Sequence, residues 1–102
     1  MNLNHSAQKS HLIIHHLKHS PVVFPLVGKE VLIGRLDTGD ISLNSTKVSR
    51  VHAKVIRDKE AHMIVDLDST LGTQVNQQPI GRHYLKDGDV IRIDTIELEY
   101  RE

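Results

Sequence analysis

The sequence contains no cysteine, which excludes disulfides and thiolate metal sites. It also lacks tryptophan, and Phe24, Tyr84 and Tyr100 are its only aromatic residues. That set is too small for the base-stacking platforms of single-strand nucleic-acid binders, so any core must be built from Val, Ile and Leu. Neither sign of charge is in excess, since 13 Lys and Arg are matched by 13 Asp and Glu. A broadly basic surface for coating DNA or a membrane is therefore not expected, although the balance is compatible with a small local anion site. No apolar run is long enough to span a bilayer. The N-terminus has no basic stretch leading into an unbroken apolar run, so no signal peptide is expected. The expectation is a cytoplasmic protein with neither a nucleic-acid nor a membrane partner.

Helical periodicity is missing as well. No window of 11 or more residues keeps a convincing 3.6-residue repeat, whereas short stretches of strand character recur about every ten residues. "HLIIHHL" reads as a first strand. "VVF", between Pro21 and Pro25, suits an edge. "EVLIGR", "DISL", "VHAKVIRD", "AHMIVDLD", "DVIRI" and "TIELEYRE" follow. Lys59-Glu60 and Asn76-Gln77 look like hairpin turns, and Asp87-Gly88 is a strong turn dipeptide. In the last strand Ile96, Leu98 and Tyr100 share one face, and Glu97, Glu99 and Arg101 the other. In "VHAKVIRD" the alternation places Val51 with Ala53 and Val55. The predicted architecture is one all-β sandwich over residues 11–102, preceded by a polar, mobile segment over residues 1–10. The 102 residues suffice for one domain. They do not distinguish a small complete protein from part of a longer multidomain chain.

Function in such folds concentrates in loops at one end, which directs attention to polar residues at strand junctions. Three junctions stand out: Gly34-Arg35; "SRVH", residues 49–52; and "DSTLGTQVN", residues 68–76. Arg35 supplies a fork of donors, Ser49 and Thr70 supply hydroxyls, and the loops supply free amides. A phosphate dianion needs such a set, because arginine binds its oxygens bidentately while hydroxyls and amides take the rest.

Taken in order, "IGR", "DISL", "VSRVHA", "DLDSTLGTQVN" and "LKDGDVIRI" resemble the forkhead-associated (FHA) domain over roughly residues 12–101. The resemblance implies a β-sandwich of two twisted, mostly antiparallel sheets whose loops bind phosphothreonine peptides of a partner protein in signalling. By the same resemblance, Arg35, Ser49, Arg50 and Thr70 are expected to bind phosphate. Gly34, His52, Gly72, Thr73 and Asn76 are expected to support the binding loops. One position departs from the family pattern: Leu71 stands where an asparagine usually bonds the main chain of the bound peptide. Gln77 replaces the glycine usual after Asn76, which would strain a left-handed turn.

Other readings compete. Leu71, apolar at the rim, also suits a phosphorylation-independent interaction or oligomerisation domain on the same scaffold. His11, His15 and His19 would line one face of a helix, but on a strand they are too far apart to share a metal easily. Asp66/Asp68 and Asp87/Asp89 sit in turn sequences and read as turn-forming and solvated. No nucleophile–base–orienter set and no nucleotide-cradling glycine loop is visible. The expectation is a non-enzymatic module with no cofactor and no metal.

Overall fold

The computed structural model describes residues 10–16 and 18–102. Among the described residues eleven strands form two sheets. In chain order they are β1 (His11–His15), β2 (Val22–Pro25), β3 (Glu30–Gly34), β4 (Ile41–Ser42), β5 (Ala53–Asp58) and β6 (Ala61–Asp66). The rest are β7 (Thr73–Val75), β8 (Gln78–Ile80), β9 (Arg82–Tyr84), β10 (Val90–Ile93) and β11 (Ile96–Arg101). One sheet has the order β2-β1-β11-β10-β7-β8 and the other β4-β3-β5-β6-β9. β4 lies parallel to β3, while the other registered pairs, such as β1–β11 and β5–β6, are antiparallel. Most of the N-terminal segment expected to be mobile lies outside the described residues. Its last member, Ser10, is buried, and its carbonyl accepts the Leu26 amide at 3.0 Å.

The core sits between the inner faces of the sheets. Leu12, Ile33, Ala53, Ile64, Ile91, Ile93, Leu98 and Tyr100 are each wholly inaccessible to solvent. In β5, β6, β10 and β11 buried residues alternate with exposed or half-buried ones, the period-2 pattern of strands with one face in the core. Each fully buried Leu or Ile contributes on the order of 1.5–3 kcal/mol relative to exposure. With so few aromatics, β-branched and leucine side chains carry nearly all of it.

Three hairpins turn over two residues: Lys59-Glu60, Asn76-Gln77 and Asp94-Thr95. Asn76 and Gln77 have φ of 51° and 72°, the pair of positive values that a type I′ turn requires. "VVF" lies on edge strand β2, with Val22 and Val23 exposed. Among the described residues no helix is long and apolar enough to cross a membrane.

The structure corrects the reading of "VHAKVIRD" at its start. Val51 is 41% exposed, whereas His52 is completely buried. The strand begins only at Ala53, so its alternation does not extend back to Val51. That residue belongs to a bend, and the bend turns the imidazole inward. β9 has no counterpart among the predicted strands, because "RHY" is a three-residue edge strand with no apolar alternation.

Candidate functional site

The site is built where β3 runs out. The Ile33 carbonyl accepts the His52 amide at 2.9 Å, the Arg35 amide donates to the Ser49 carbonyl at 3.1 Å, and the Leu36 amide donates to the Arg50 carbonyl at 3.3 Å. Backbone pairing thus continues past β3 and lays residues 35–36 beside residues 49–52. Gly34 is required by this close approach, since a β-carbon there would overlap the Arg50 carbonyl oxygen. Two motifs separate in sequence, Gly-Arg and Ser-Arg-Val-His, therefore meet by main-chain bonding.

His52 joins a third segment to the pair. Its Nδ1 accepts the Ser49 amide at 3.1 Å and its Nε2 lies 2.9 Å from the Gly72 carbonyl oxygen. An amide can only donate and a carbonyl can only accept, so the ring that satisfies both is neutral with its proton on Nε2. The Thr70 amide then donates to the Ser49 hydroxyl oxygen at 3.1 Å. The loop after β6 is thereby pinned to the loop before β5 at two points.

Asp66 organises that loop from within. Its carboxylate accepts the Ser69 amide at 3.1 Å, the Thr73 hydroxyl at 2.7 Å and the Ser69 hydroxyl, while the Ser69 hydroxyl oxygen accepts the Gly72 amide. Burial pushes the carboxyl upward, but bonds from the Ser69 and Thr73 hydroxyls and the Ser69 amide hold it below the ordinary carboxylate value. Asp66 is half-buried, so its expected role as a turn former holds and its expected solvation does not. The spacing Asp-x-x-Ser-x-x-Gly-Thr over residues 66–73 was the available signal.

These constraints leave a pocket of about 390 Å³ lined by Arg35, Thr46, Lys47, Val48, Ser49, Thr70 and Leu71. The donors already used define those that remain. Arg35 spends Nε on the Val48 carbonyl at 3.1 Å, which fixes the guanidinium and leaves its Nη groups for an anion. The Ser49 hydroxyl oxygen already accepts a bond from Thr70, so its own proton is free to donate. Lys47 adds a second positive charge that the sequence reading missed, as it missed Thr46. Both sit in a turn closed by the Val48 amide on the Ser45 carbonyl at 3.2 Å, with Val48 buried, and no strand alternation marks such a turn in the sequence.

Four of the expected residues, Arg35, Ser49, Thr70 and Leu71, line this pocket together. The Arg50 side chain is exposed and does not line it; its contribution here is the carbonyl that receives Leu36. Gly72 and Thr73 act through His52 and Asp66. Asn76 lies three residues along the chain from Thr73 and is bonded elsewhere, to the Asp89 carboxylate at 2.9 Å and the Val90 amide at 3.0 Å. It braces the β7–β8 turn against the start of β10 rather than the pocket loops. Asp89 also receives the Lys86 amide at 2.8 Å and His83 at 3.0 Å. Burial raises its carboxyl, and these bonds outweigh burial and hold it below the ordinary value. Among the described residues no group of three His, Cys, Asp or Glu is arranged to hold a metal ion. His11 and His15 are at opposite ends of β1.

A sequence model described as the FHA domain matches residues 31–94. The chain belongs to the FHA domain family. It is 40% identical over 70 residues to the FHA domain-containing protein FhaA of Mycobacterium tuberculosis, covering 69% of this chain and 13% of that protein. It is 38% identical over 79 residues to the transcriptional regulatory protein EmbR of the same species, covering 76% and 20%. To the oxoglutarate dehydrogenase inhibitor of Corynebacterium jeikeium it is 37% identical over 67 residues, covering 66% and 46%. The chain thus spans less than half the length of each of these relatives.

Solved structures agree. The FhaA FHA domain complexed with the intracellular domain of Rv3910 superposes with a TM-score of 0.83 at 33% identity, covering 91% of this chain and 100% of that one. Mycobacterium tuberculosis EmbR in complex with a low affinity phosphopeptide gives 0.81 at 35% identity, covering 89% of this chain and 24% of that one. The sandwich expected from the alternation, and the family expected from the five ordered motifs, are both found.

Proposed function

We propose that this FHA domain docks onto phosphothreonine in a partner protein and thereby couples a kinase's mark to assembly. One observation carries the reading: Arg35 and Ser49, locked side by side by backbone bonds, present unspent donors to a single pocket that Lys47 also lines. A phosphothreonine brings about −1.5 to −2 charges and three strong acceptor oxygens. The Arg35 Nη groups, the Ser49 and Thr70 hydroxyls and the Lys47 ammonium would replace its hydration without rearranging the loops. Arg35, Ser49 and Thr70 are assigned as phosphate-binding and Leu71 as a peptide contact. Gly34, His52, Gly72 and Thr73 are assigned as supports. Nothing in the pocket resembles a nucleophile with its base, so the domain is assigned to recognition rather than catalysis. The setting is taken as cytoplasmic, and the domain as one part of a larger chain.

Leu71, 49% exposed at the rim, favours a second reading in which the same end binds protein without phosphate. Titration with matched phosphorylated and unphosphorylated threonine peptides separates the two. Binding that requires phosphate and is lost in Arg35→Ala supports phosphothreonine recognition. Charged hydrogen bonds contribute about 1.5–3 kcal/mol each, so losing a bidentate pair should cost roughly a hundredfold in affinity or more. Equal binding of both peptides, or unchanged affinity in a folded Arg35→Ala, would refute it.

A further inference from the structure

The two outer faces of the sandwich differ. On the six-stranded sheet, outward side chains are tied into ion pairs, Arg92 with Glu97 and Arg101 with Glu99, each at 3.3 Å. That is the solvated face expected of an antiparallel sheet with one side in the core. The five-stranded sheet breaks the rule. Its strand β6 turns His62 and Ile64 inward and Met63 and Val65 outward. The registers set these beside Ile56 of β5, Leu32 of β3 and Tyr84 of β9. Tyr84 is 52% exposed, and its hydroxyl donates to Asp58 of β5 at 2.8 Å, so its side chain lies across β6. A contiguous apolar patch on an outer face marks a contact surface. We infer that this face is the interface of a homodimer, covered by the same face of a second copy of the chain.

Charge selects the occupant. The registers arrange the face in rows that cross the strands. Lys54 and Arg82 share a row with Leu32 and Val65, Ile56 and Met63 form the next, and Asp58 lies in the one beyond. The face is therefore positive on one side of its apolar middle row and negative on the other. A partner surface of a single sign would meet its own sign on one side. A second copy, turned about a twofold axis along the middle row, presents the opposite order. Ile56 and Met63 then pack on their counterparts, and Lys54 of each copy lies over Asp58 of the other, a contact that symmetry makes twice. Within one copy Lys54 and Asp58 are four residues apart on the same strand, about 14 Å, too far to pair. Glu30, at the β3 end of the middle row, is compensated in its own copy by Lys54 at 3.8 Å.

The face spans four strands about 4.8 Å apart and rows covering about 14 Å along them. Pairing it buries less than about 1,200 Å² in total, the range of transient interfaces. The dimer is accordingly weak, with dissociation in the micromolar range or above. None of the residues that line the anion pocket belongs to the face, so the inference stands apart from the phosphothreonine reading and is tested without any peptide.

The test is sedimentation equilibrium of the chain from about 10 μM to about 1 mM, the range that a weak dimer requires. The wild type should pass from monomer to dimer across it. Met63→Asp, which places a charge on the axis, should remain monomeric throughout. Lys54→Asp and Asp58→Lys should each weaken the dimer roughly tenfold, since every reversal acts at two symmetry-related pairs. The double variant Lys54→Asp/Asp58→Lys should restore it, because the exchanged charges again face each other across the twofold. Thermal melting verifies that each variant is folded, and the two exposed charge positions decide the matter if Met63→Asp does not fold. A wild type that is monomeric at every concentration overturns the inference and leaves the face to a partner of different chemistry. A dimer that survives a folded Met63→Asp, or single reversals that the double variant does not rescue, also overturns it.

Discussion

The Nε2 atom of His52 lies 2.9 Å from the carbonyl oxygen of Gly72, 20 residues further along the chain. Through the same ring, Nδ1 receives the Ser49 amide. A single completely buried side chain therefore holds the Ser49 loop and the Thr70 loop in register. His52→Ala would leave a buried amide and a buried carbonyl without partners, at about 1–3 kcal/mol each. The variant should lose about 2–4 kcal/mol of stability, measurable by denaturant titration, and melt roughly 10 °C lower or more. If it melts like the wild type and only ligand binding disappears, His52 is a ligand contact and the bracing role is wrong.

His52 also marks where the sequence stops being legible. Period-2 alternation located strands such as β11, because each buried Ile96, Leu98 and Tyr100 is separated by a less buried glutamate. The same rule failed at Val51 and His52, where hydrogen bonding to two loops, rather than hydropathy, decides which side chain turns inward. Arg35, Ser49 and Thr70 were readable because an anion site demands their donor chemistry. Lys47 and Thr46 were not, since their roles come from the orientation of a turn anchored by Val48. Asp66 looked like one more turn aspartate. Its importance lies in the number of loop donors it gathers, which depends on a three-dimensional path that spacing alone does not specify.

His62 gives the fold an acid-sensitive point. It lies on β6, and its Nδ1 is 2.8 Å from the hydroxyl of Tyr100 on β11, so the contact crosses from one sheet to the other. Its Nε2 is buried without a partner. Burial, followed by the nearby Arg57, lowers its pKa below the ordinary 6.5, because the cation would add a charge and an N–H with nothing to accept it. The unfolded chain takes up the proton near pH 6.5 and the folded one only at lower pH. The contribution is therefore fully present above 6.5 and is lost as pH falls below it, until the folded form protonates too. The slope from this one group is at most about 1.4 kcal/mol per pH unit. Unfolding curves between about pH 7.5 and 5 should show a shallower decline for His62→Gln than for the wild type, with the other histidines common to both. Parallel curves would remove His62 as the source.

The turn at Asn76-Gln77 is stable for reasons outside Gln77. Both residues have positive φ, which asparagine tolerates and glutamine does not. The turn is held in place by Asn76, whose amide nitrogen donates to Asp89, whose side-chain oxygen accepts the Val90 amide, and whose backbone amide donates to the Val90 carbonyl at 2.9 Å. Gln77 is exposed and makes none of these bonds. Gln77→Gly should relieve a left-handed strain of about 1–2 kcal/mol, partly offset by about 0.4–1 kcal/mol of added freedom in the unfolded chain. A net gain of about 0–1.5 kcal/mol is expected, which at about 4–8 °C per kcal/mol raises Tm by up to roughly 10 °C for a domain of this size. Phosphopeptide affinity should not change, because the Asn76 turn is bonded to Asp89 and Val90 rather than to the loops that carry Arg35, Ser49 and Thr70. Calorimetric melting together with peptide titration checks both halves. A variant that melts no higher would show that the Asn76 bonds depend on the glutamine. One that is stabilised but binds differently would connect the turn to the anion pocket by a route other than these bonds.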